Sequence, residues 1–161
     1  MEYILDYDQE ELTDEIVNQW YNNDPEKYHE TIDKCYKNYT VPFRKINTAE
    51  ISCTIKHYLG IKAIAEKCDN YGLILEDDVI FVEDFENHFN NFLSQTPDDW
   101  GAIFMGCCAG LRVPAGQLVE NQIAYEMAHP ASRGGDSYIL RKDVAQKITE
   151  TMKPFNTCGR S

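Results

Sequence analysis

The chain has 161 residues, 43% of them hydrophobic and 12% aromatic, which is enough apolar material for the core of a single domain spanning residues 1–161. Its 27 acidic and 15 basic residues give a formal net charge of −12, and no basic patch with interleaved aromatic residues occurs. This charge makes nucleic acid and anionic membrane surfaces poor partners, because like charges repel one another.

We expect neither a targeting segment nor a membrane span. Residues 1–14 are acidic and lack the apolar core of a signal peptide. The longest apolar run, Ala102 to Leu111, is about half as long as a bilayer requires. Six cysteines are present without a C-x-x-C pair, so they form no metal-ligand pattern and predict reduced, buried thiols in a cytoplasmic protein.

The first part of the chain predicts one strand and three helices. Residues 3–5 are a short strand candidate. Three apolar residues spaced four apart then predict a helix: Leu12, Ile16 and Trp20. The pair Asp24-Pro25 suits the N-cap and first position of a second helix. Asn47 and Glu50 have the spacing of a capping box, and they begin a third helix that is expected to run to about Lys67.

The second part of the chain alternates between strands and helices. The apolar run 73–75 predicts a buried parallel strand, and residues 100–105 predict a second buried strand. Residues 122–127 alternate and suit an edge strand, and residues 137–140 suit a fourth strand. Two amphipathic helices are marked by Phe85, Phe89, Phe92 and Leu93, and by Val144, Ile148 and Met152. This alternation predicts an α/β fold with a mainly parallel sheet flanked by helices.

Three consecutive carboxylates, Glu76-Asp77-Asp78, follow the first of these buried strands directly. The carboxyl ends of strands are where α/β sheets bind ligands. Mn²⁺ and Mg²⁺ prefer carboxylate oxygens, and an acidic protein needs such a cation to bind a phosphorylated ligand. The triplet therefore suits a metal and diphosphate site. From spacing alone, a solvated acidic turn explains the same pattern.

The segment from Thr48 to His57, followed by the segment from Gly72 to Val79, resembles glycosyltransferase family 25. That family includes lipooligosaccharide and procollagen galactosyltransferases. Its members show a Glu-x-x-Cys-x-x-x-His helix followed by a Leu-x-Leu-Glu-Asp-Asp-Val strand end. The matching residues are Glu50, Cys53, His57 and Glu76 to Asp78. The likeness continues in residues 100–106 and 135–140, and it covers roughly Ile4 to Met152.

The resemblance implies a GT-A-like fold, a nucleoside-diphosphate sugar donor such as UDP-galactose, and Mn²⁺ or Mg²⁺ as cofactor. It implies that Asp78 ligates the metal directly, and that Glu76 ligates it or contacts the ribose or an ordered water. Asp77 suits either role. Glu50 is a candidate for cofactor binding, although capping its helix explains it equally well. Compared with family members, the fold is expected to be incomplete at both ends.

Two further residues are candidates for catalysis. His57 can orient the diphosphate or a catalytic carboxylate, and a structural histidine bonded near the sheet explains it equally well. Asp136, in the loop from Arg133, is a candidate base for the acceptor hydroxyl, with a plain turn as the alternative. Cys53 suits core packing.

The resemblance implies an inverting transferase that moves a hexose onto a glycan or hydroxyl acceptor, as in lipopolysaccharide biosynthesis. The alternative is a non-catalytic remnant that binds metal or a partner. A metal-assisted hydrolase would need a second acidic cluster, for which Asp98-Asp99 is the obvious candidate, but that pair precedes its strand and so lies at the wrong end.

Overall fold

The secondary structure is a mixture of helices and a small sheet. The computed structural model describes residues 2–35, 45–106, 115–126 and 135–155. In these ranges the α-helices are α1 (Asp14–Trp20), α2 (Pro25–Cys35), α3 (Thr48–Lys67), α4 (Phe85–Ser94) and α5 (Lys142–Thr151). The strands are β1 (Tyr71–Leu75), β2 (Ala102–Phe104) and β3 (Ser137–Arg141). Short 3-10 helices lie at Gln9–Glu11 and Ala115–Gln117.

The three strands form an antiparallel sheet in the order β1-β3-β2. Ile139 of β3 lies opposite Leu73 of β1 on one side and Ile103 of β2 on the other. β3 is accordingly the buried centre of the sheet, with four of its five residues buried. The confirmed part of the fold prediction is the mixture of helices and sheet, whereas the mainly parallel sheet is wrong for the described residues.

The connections before and after β2 differ in the described residues. β1 and β2 are both antiparallel to β3 and so point the same way, as expected for two strands joined through a helix such as α4. Between β2 and β3, the described residues hold only the 3-10 helix Ala115–Gln117 and no α-helix. β3 enters between the other two strands from the opposite end.

Two predicted strands are absent from the described part of the chain, and a third differs in burial. Residues 3–5 form no strand, and none occurs in the described residues 122–126. Met127, the last residue of that predicted strand, lies outside the described residues. β1 is not fully buried, since Leu73 and Leu75 are 46% and 37% exposed. β1 pairs with β3 alone in the described sheet, so this apolar strand occupies an outer position where its side chains are less covered.

The predicted helix starts are confirmed. Oδ1 of Asp24 accepts hydrogen bonds from the backbone N–H of Glu26 (3.0 Å) and of Lys27 (3.3 Å) at the start of α2. At the start of α3, the Asn47 side chain accepts from the Glu50 N–H at 2.9 Å, and the Glu50 carboxylate accepts from the Asn47 N–H at 3.1 Å. These bonds satisfy donors that have no partner within the helix.

Asn47→Ala is expected to lower the free energy of unfolding by about 1 kcal/mol, because the first turn of α3 loses its side-chain acceptor. Chemical denaturation of both proteins measures the change. Asn90→Ala, in the exposed interior of α4, is the matched control and should hold or raise stability, since alanine has the higher helix propensity. Equal stability of Asn47→Ala and wild type would contradict the role of the capping box.

α3 contributes to both halves of the hydrophobic core. Its first half belongs to a cluster that includes residues from near both ends of the chain. The members of this cluster are Trp20, Tyr21, Ile46, Ile51, Ile55, Tyr58 and Phe155. Its second half packs against the sheet and α5: Ile61, Ile64, Ala65, Tyr138, Leu140 and Ala145. The helix thereby fixes the position of the sheet relative to the N-terminal helices.

The first of these clusters also joins distant parts of the chain through the backbone. Tyr21 and Phe155 form an isolated parallel bridge. The N–H of Asn22 donates to the Phe155 carbonyl, and the N–H of Phe155 donates to the Trp20 carbonyl, both at 2.7 Å. The Trp20 and Phe155 rings stack with centroids 5.9 Å apart, and Nζ of Lys153 lies 3.7 Å from the Trp20 ring centroid.

Among the described helices, none is both long and apolar enough to cross a membrane.

Candidate functional site

The acidic triplet lies where β1 ends. Glu76 follows the last residue of the strand directly, and Asp77 and Asp78 form the turn after it. The side chain of Glu76 is 32% exposed, whereas Asp77 and Asp78 are exposed residues. The structure thus places the triplet at the carboxyl end of a strand, as predicted, although among the described strands this one is outer and antiparallel.

His57 of α3 connects the triplet to the central strand. Its Nε2 lies 3.2 Å from Oε1 of Glu76, and its Nδ1 lies 2.9 Å from the hydroxyl of Tyr138 on β3. An ionised carboxylate only accepts hydrogen bonds, so with Glu76 ionised Nε2 carries the proton and donates it. In the neutral ring Nδ1 then accepts from the Tyr138 hydroxyl. The ring is thereby fixed from both sides.

Tyr138 is suited to fixing the His57 ring, because it is only 6% exposed and its ring stacks against that of His57 with centroids 5.7 Å apart. Burial raises the pKa of its hydroxyl well above the ordinary value, and the neighbouring Cys53 and Glu76 raise that pKa further. The group therefore stays a neutral hydroxyl at every physiological pH. It is a permanent hydrogen-bonding partner for Nδ1 of His57.

Asp136 lies beside Glu76. Its backbone carbonyl accepts from the N–H of Glu76 at 2.8 Å, and its Oδ2 accepts from the Ser137 hydroxyl at 3.0 Å. The Asp136 carboxylate occupies the space over Gly106, where an added Cβ would lie only 2.6 Å from Cγ. Only glycine fits at position 106 with Asp136 in this conformation. Five of the predicted site residues thus lie together at one end of the sheet: His57, Glu76, Asp77, Asp78 and Asp136.

The family model for glycosyltransferase family 25, described as an LPS biosynthesis protein, matches residues 7–107, which is more than half of the chain. The chain belongs to this family. It is therefore a glycosyltransferase by family. No curated protein and no solved structure matches it significantly. The matched region contains α3, β1, the acidic triplet and β2. Asp136 and Tyr138, which lie just before β3 and within it, are beyond the matched region.

The other predicted site residues of this family 25 domain lie elsewhere. Glu50 is in the capping box of α3, about two helical turns before His57, which supports the capping explanation. Arg133 lies outside the described residues. Asp98 lines a cavity at the opposite end of the sheet, together with Asp69, Tyr71, Trp100 and Arg141. The structure thus gives the hydrolase alternative no second acidic cluster beside the triplet in the part of the chain it describes.

Two residues near the triplet were not identified as site residues from the sequence. The sequence predicts Tyr138 only as part of a strand, and Cys53 as core packing. Cys53 is instead half-buried, and its Sγ lies with a His57 ring nitrogen and a Glu76 oxygen in a group whose atoms are all within 4.8 Å of one another. The Cys-x-x-x-His spacing on a helix was the available signal, since residues four apart share a face.

Proposed function

We propose that this family 25 glycosyltransferase transfers a hexose, with galactose from UDP-galactose as the first choice, to a hydroxyl group of a glycan acceptor. The observation that carries the proposal is the acidic triplet at the end of β1, with two exposed carboxylates beside one that His57 fixes. The family's description as an LPS biosynthesis protein favours a lipopolysaccharide sugar as the acceptor. A cytoplasmic location remains part of this proposal.

The residues at the triplet suit a hard divalent cation. Asp77 and Asp78 offer carboxylate oxygens on an exposed turn, and these are the ligands that Mn²⁺ and Mg²⁺ prefer. Asp78 is the proposed direct ligand, with Glu76 as a second ligand or a contact to the ribose. A bound cation would offset the charge of the donor diphosphate and of the departing nucleotide. Such a cation would also let a protein of net charge −12 bind a polyanionic donor.

The remaining residues would position the Glu76 carboxylate and deprotonate the acceptor hydroxyl. Tyr138 and His57 hold the Glu76 carboxylate in one orientation, so this acid needs no reorganisation when the donor binds. Asp136, bonded through its carbonyl to Glu76, is the proposed base. The acceptor oxygen forms a bond to the anomeric carbon as its proton passes to the Asp136 carboxylate. The bond from that carbon to the diphosphate breaks, and the diphosphate takes the electron pair. This single displacement inverts the anomeric centre.

We expect UDP-galactose to bind in the presence of Mn²⁺ and to bind at least about tenfold more weakly after chelation, because the diphosphate then faces unscreened carboxylates. Isothermal titration with and without Mn²⁺ measures the difference. Asp98→Asn, which removes one negative charge at the opposite end of the sheet, is the control and should keep the metal dependence. Equal affinity in both conditions would remove the metal from the mechanism. No binding in either would favour the non-catalytic alternative.

A further inference from the structure

Cys53, His57 and Glu76 present three different metal-ligating groups to one point. Cys53 and His57 lie four residues apart on α3 and hence on one face of the helix, and Glu76 approaches that face from the end of β1. Their ligand atoms, a thiol sulfur, an imidazole nitrogen and a carboxylate oxygen, all lie within 4.8 Å of one another. All three side chains are half-buried, so an ion can reach them from solvent.

The spacing of these atoms is near that of a tetrahedral zinc site. Zinc bonds of about 2.0–2.3 Å imply separations of about 3.3–3.8 Å between neighbouring ligand atoms. Nε2 of His57 and Oε1 of Glu76 are already 3.2 Å apart. Bringing the other pairs to a zinc-bound distance therefore needs a movement of at most about 1 Å. A change of side-chain torsion supplies this without moving the helix or the strand.

Tyr138 supplies the outer contact that metal-binding histidines require. Its hydroxyl lies 2.9 Å from Nδ1 of His57, which leaves Nε2 directed at Oε1 of Glu76. A partner on the second ring nitrogen fixes which nitrogen binds the metal. Gly135 lies on the other side, where an added Cβ would contact Nε2 of His57 at 3.4 Å and Oε1 of Glu76 at 3.5 Å. The absence of that Cβ leaves room beside the two ligand atoms for a fourth ligand such as water.

We propose that Cys53, His57 and Glu76 bind a zinc-type divalent cation beside the hard cation proposed at Asp78. Where both ions are bound, Glu76 ligates the zinc-type ion and Asp78 holds the hard cation. Thiolate and imidazole favour Zn²⁺ and Co²⁺ over Mg²⁺ and Mn²⁺, so the two sites differ in chemical preference. Binding releases one proton, from the Cys53 thiol, and the proton between His57 and Glu76 moves from Nε2 to Nδ1 of the same ring. The His57 proton then resides on Nδ1, which donates to the Tyr138 oxygen. The ion would replace the hydrogen bond that joins α3 to the end of β1.

Titration of the metal-free protein with Co²⁺ tests this site directly. We expect one equivalent to bind with a sulfur-to-cobalt charge-transfer band and the visible absorption of tetrahedral cobalt. Zn²⁺ should displace it, and Mg²⁺ should not. Cys53→Ser should lose the charge-transfer band. Tyr138→Phe should keep the band but bind about 10–100-fold more weakly, because the ring loses its outer contact.

The matched control is Cys68→Ser, which removes the other described half-buried thiol, one residue beyond the end of α3. It should bind Co²⁺ like the wild type. A wild-type protein without the charge-transfer band, or a band that survives in folded Cys53→Ser, overturns the proposal. If circular dichroism shows Cys53→Ser to be unfolded, folded His57→Gln decides instead, and an unchanged affinity there has the same consequence. No sugar donor is present, so failure here leaves the proposed transferase function standing.

Discussion

Asp78→Asn is expected to reduce donor turnover by a factor of about a hundred or more, which is about 3 kcal/mol of transition-state stabilisation. Asparagine keeps the size of the side chain and one oxygen, but it loses the charge that holds a hard cation against a diphosphate. Asp78 lies on the exposed turn after β1, beside two other acids. Without metal, the substitution relieves repulsion, so stability should stay within about 0.5 kcal/mol of the wild type or rise slightly.

Two measurements on the same preparations test this prediction: thermal melting of the metal-free protein, and UDP release from UDP-galactose with Mn²⁺ present. Asp98→Asn makes the same chemical change at the opposite end of the sheet and should keep its turnover. A structural role for Asp78 predicts another pattern, in which stability falls by about 1–2 kcal/mol and activity falls only with the folded fraction. An Asp78→Asn protein that melts early yet turns over donor normally per folded molecule would end its assignment as metal ligand.

Trp20→Ala is expected to lower the free energy of unfolding by about 3–5 kcal/mol, among the largest effects of any single substitution. Trp20 is 6% exposed, and its ring contacts Tyr7, Tyr58 and Phe155 at centroid distances of 5.6, 5.4 and 5.9 Å. Truncation leaves a cavity between α1, α3 and the chain near Phe155. It also removes the ring under the Lys153 ammonium group.

Urea denaturation monitored by circular dichroism measures this loss. Trp100→Ala is the matched control, because Trp100 is only half-buried and contacts a different part of the sheet, with its ring 6.0 Å from Tyr71. We expect this control to lose less than half as much stability. Equal losses of stability in the two variants would show that the cluster around Trp20 contributes no more to the free energy of unfolding than the contacts of Trp100.

The helices could be predicted from the sequence because their signals are local. Asn47 and Glu50 are three residues apart, and the bonds that they make lie within one helical turn. Asp24 likewise caps α2 through N–H groups two and three residues away. Such contacts need no knowledge of the rest of the fold. The apolar spacing along α3 also reports its own buried face, although not which elements cover it.

The sheet could be predicted only in part because strand direction depends on distant residues. The runs 73–75 and 137–140 show that strands exist, but nothing in either run specifies that β3 lies between β1 and β2. Residues 3–5 and 122–126 carry strand-like patterns and form no strand. An extended segment becomes a strand only when a neighbour supplies hydrogen-bonding partners, and that neighbour cannot be identified from local pattern.

The site, like the fold, could be predicted only where its signals are local in sequence. The position of Glu76, Asp77 and Asp78 at the end of a strand followed from the adjacent apolar run. The contact between His57 and Tyr138 joins residues 81 apart in sequence. No spacing rule connects a helix residue to a strand so far along the chain, so the partner of His57 and the nearness of Cys53 to Glu76 required the structure.

The position of β3 also constrains the order in which the site assembles during synthesis. β1 and β2 leave the ribosome first, yet in the described sheet each pairs with β3 and not with the other. The hydroxyl beside His57 and the carbonyl that receives the Glu76 N–H both come from residues 136–138. A nascent chain that has emerged only through β2 therefore carries the acidic triplet and His57 without the groups of residues 136–138 that complete their orientation. Completion of the site coincides with completion of the sheet, so a stalled or partly translated chain cannot hold these acids in their final geometry.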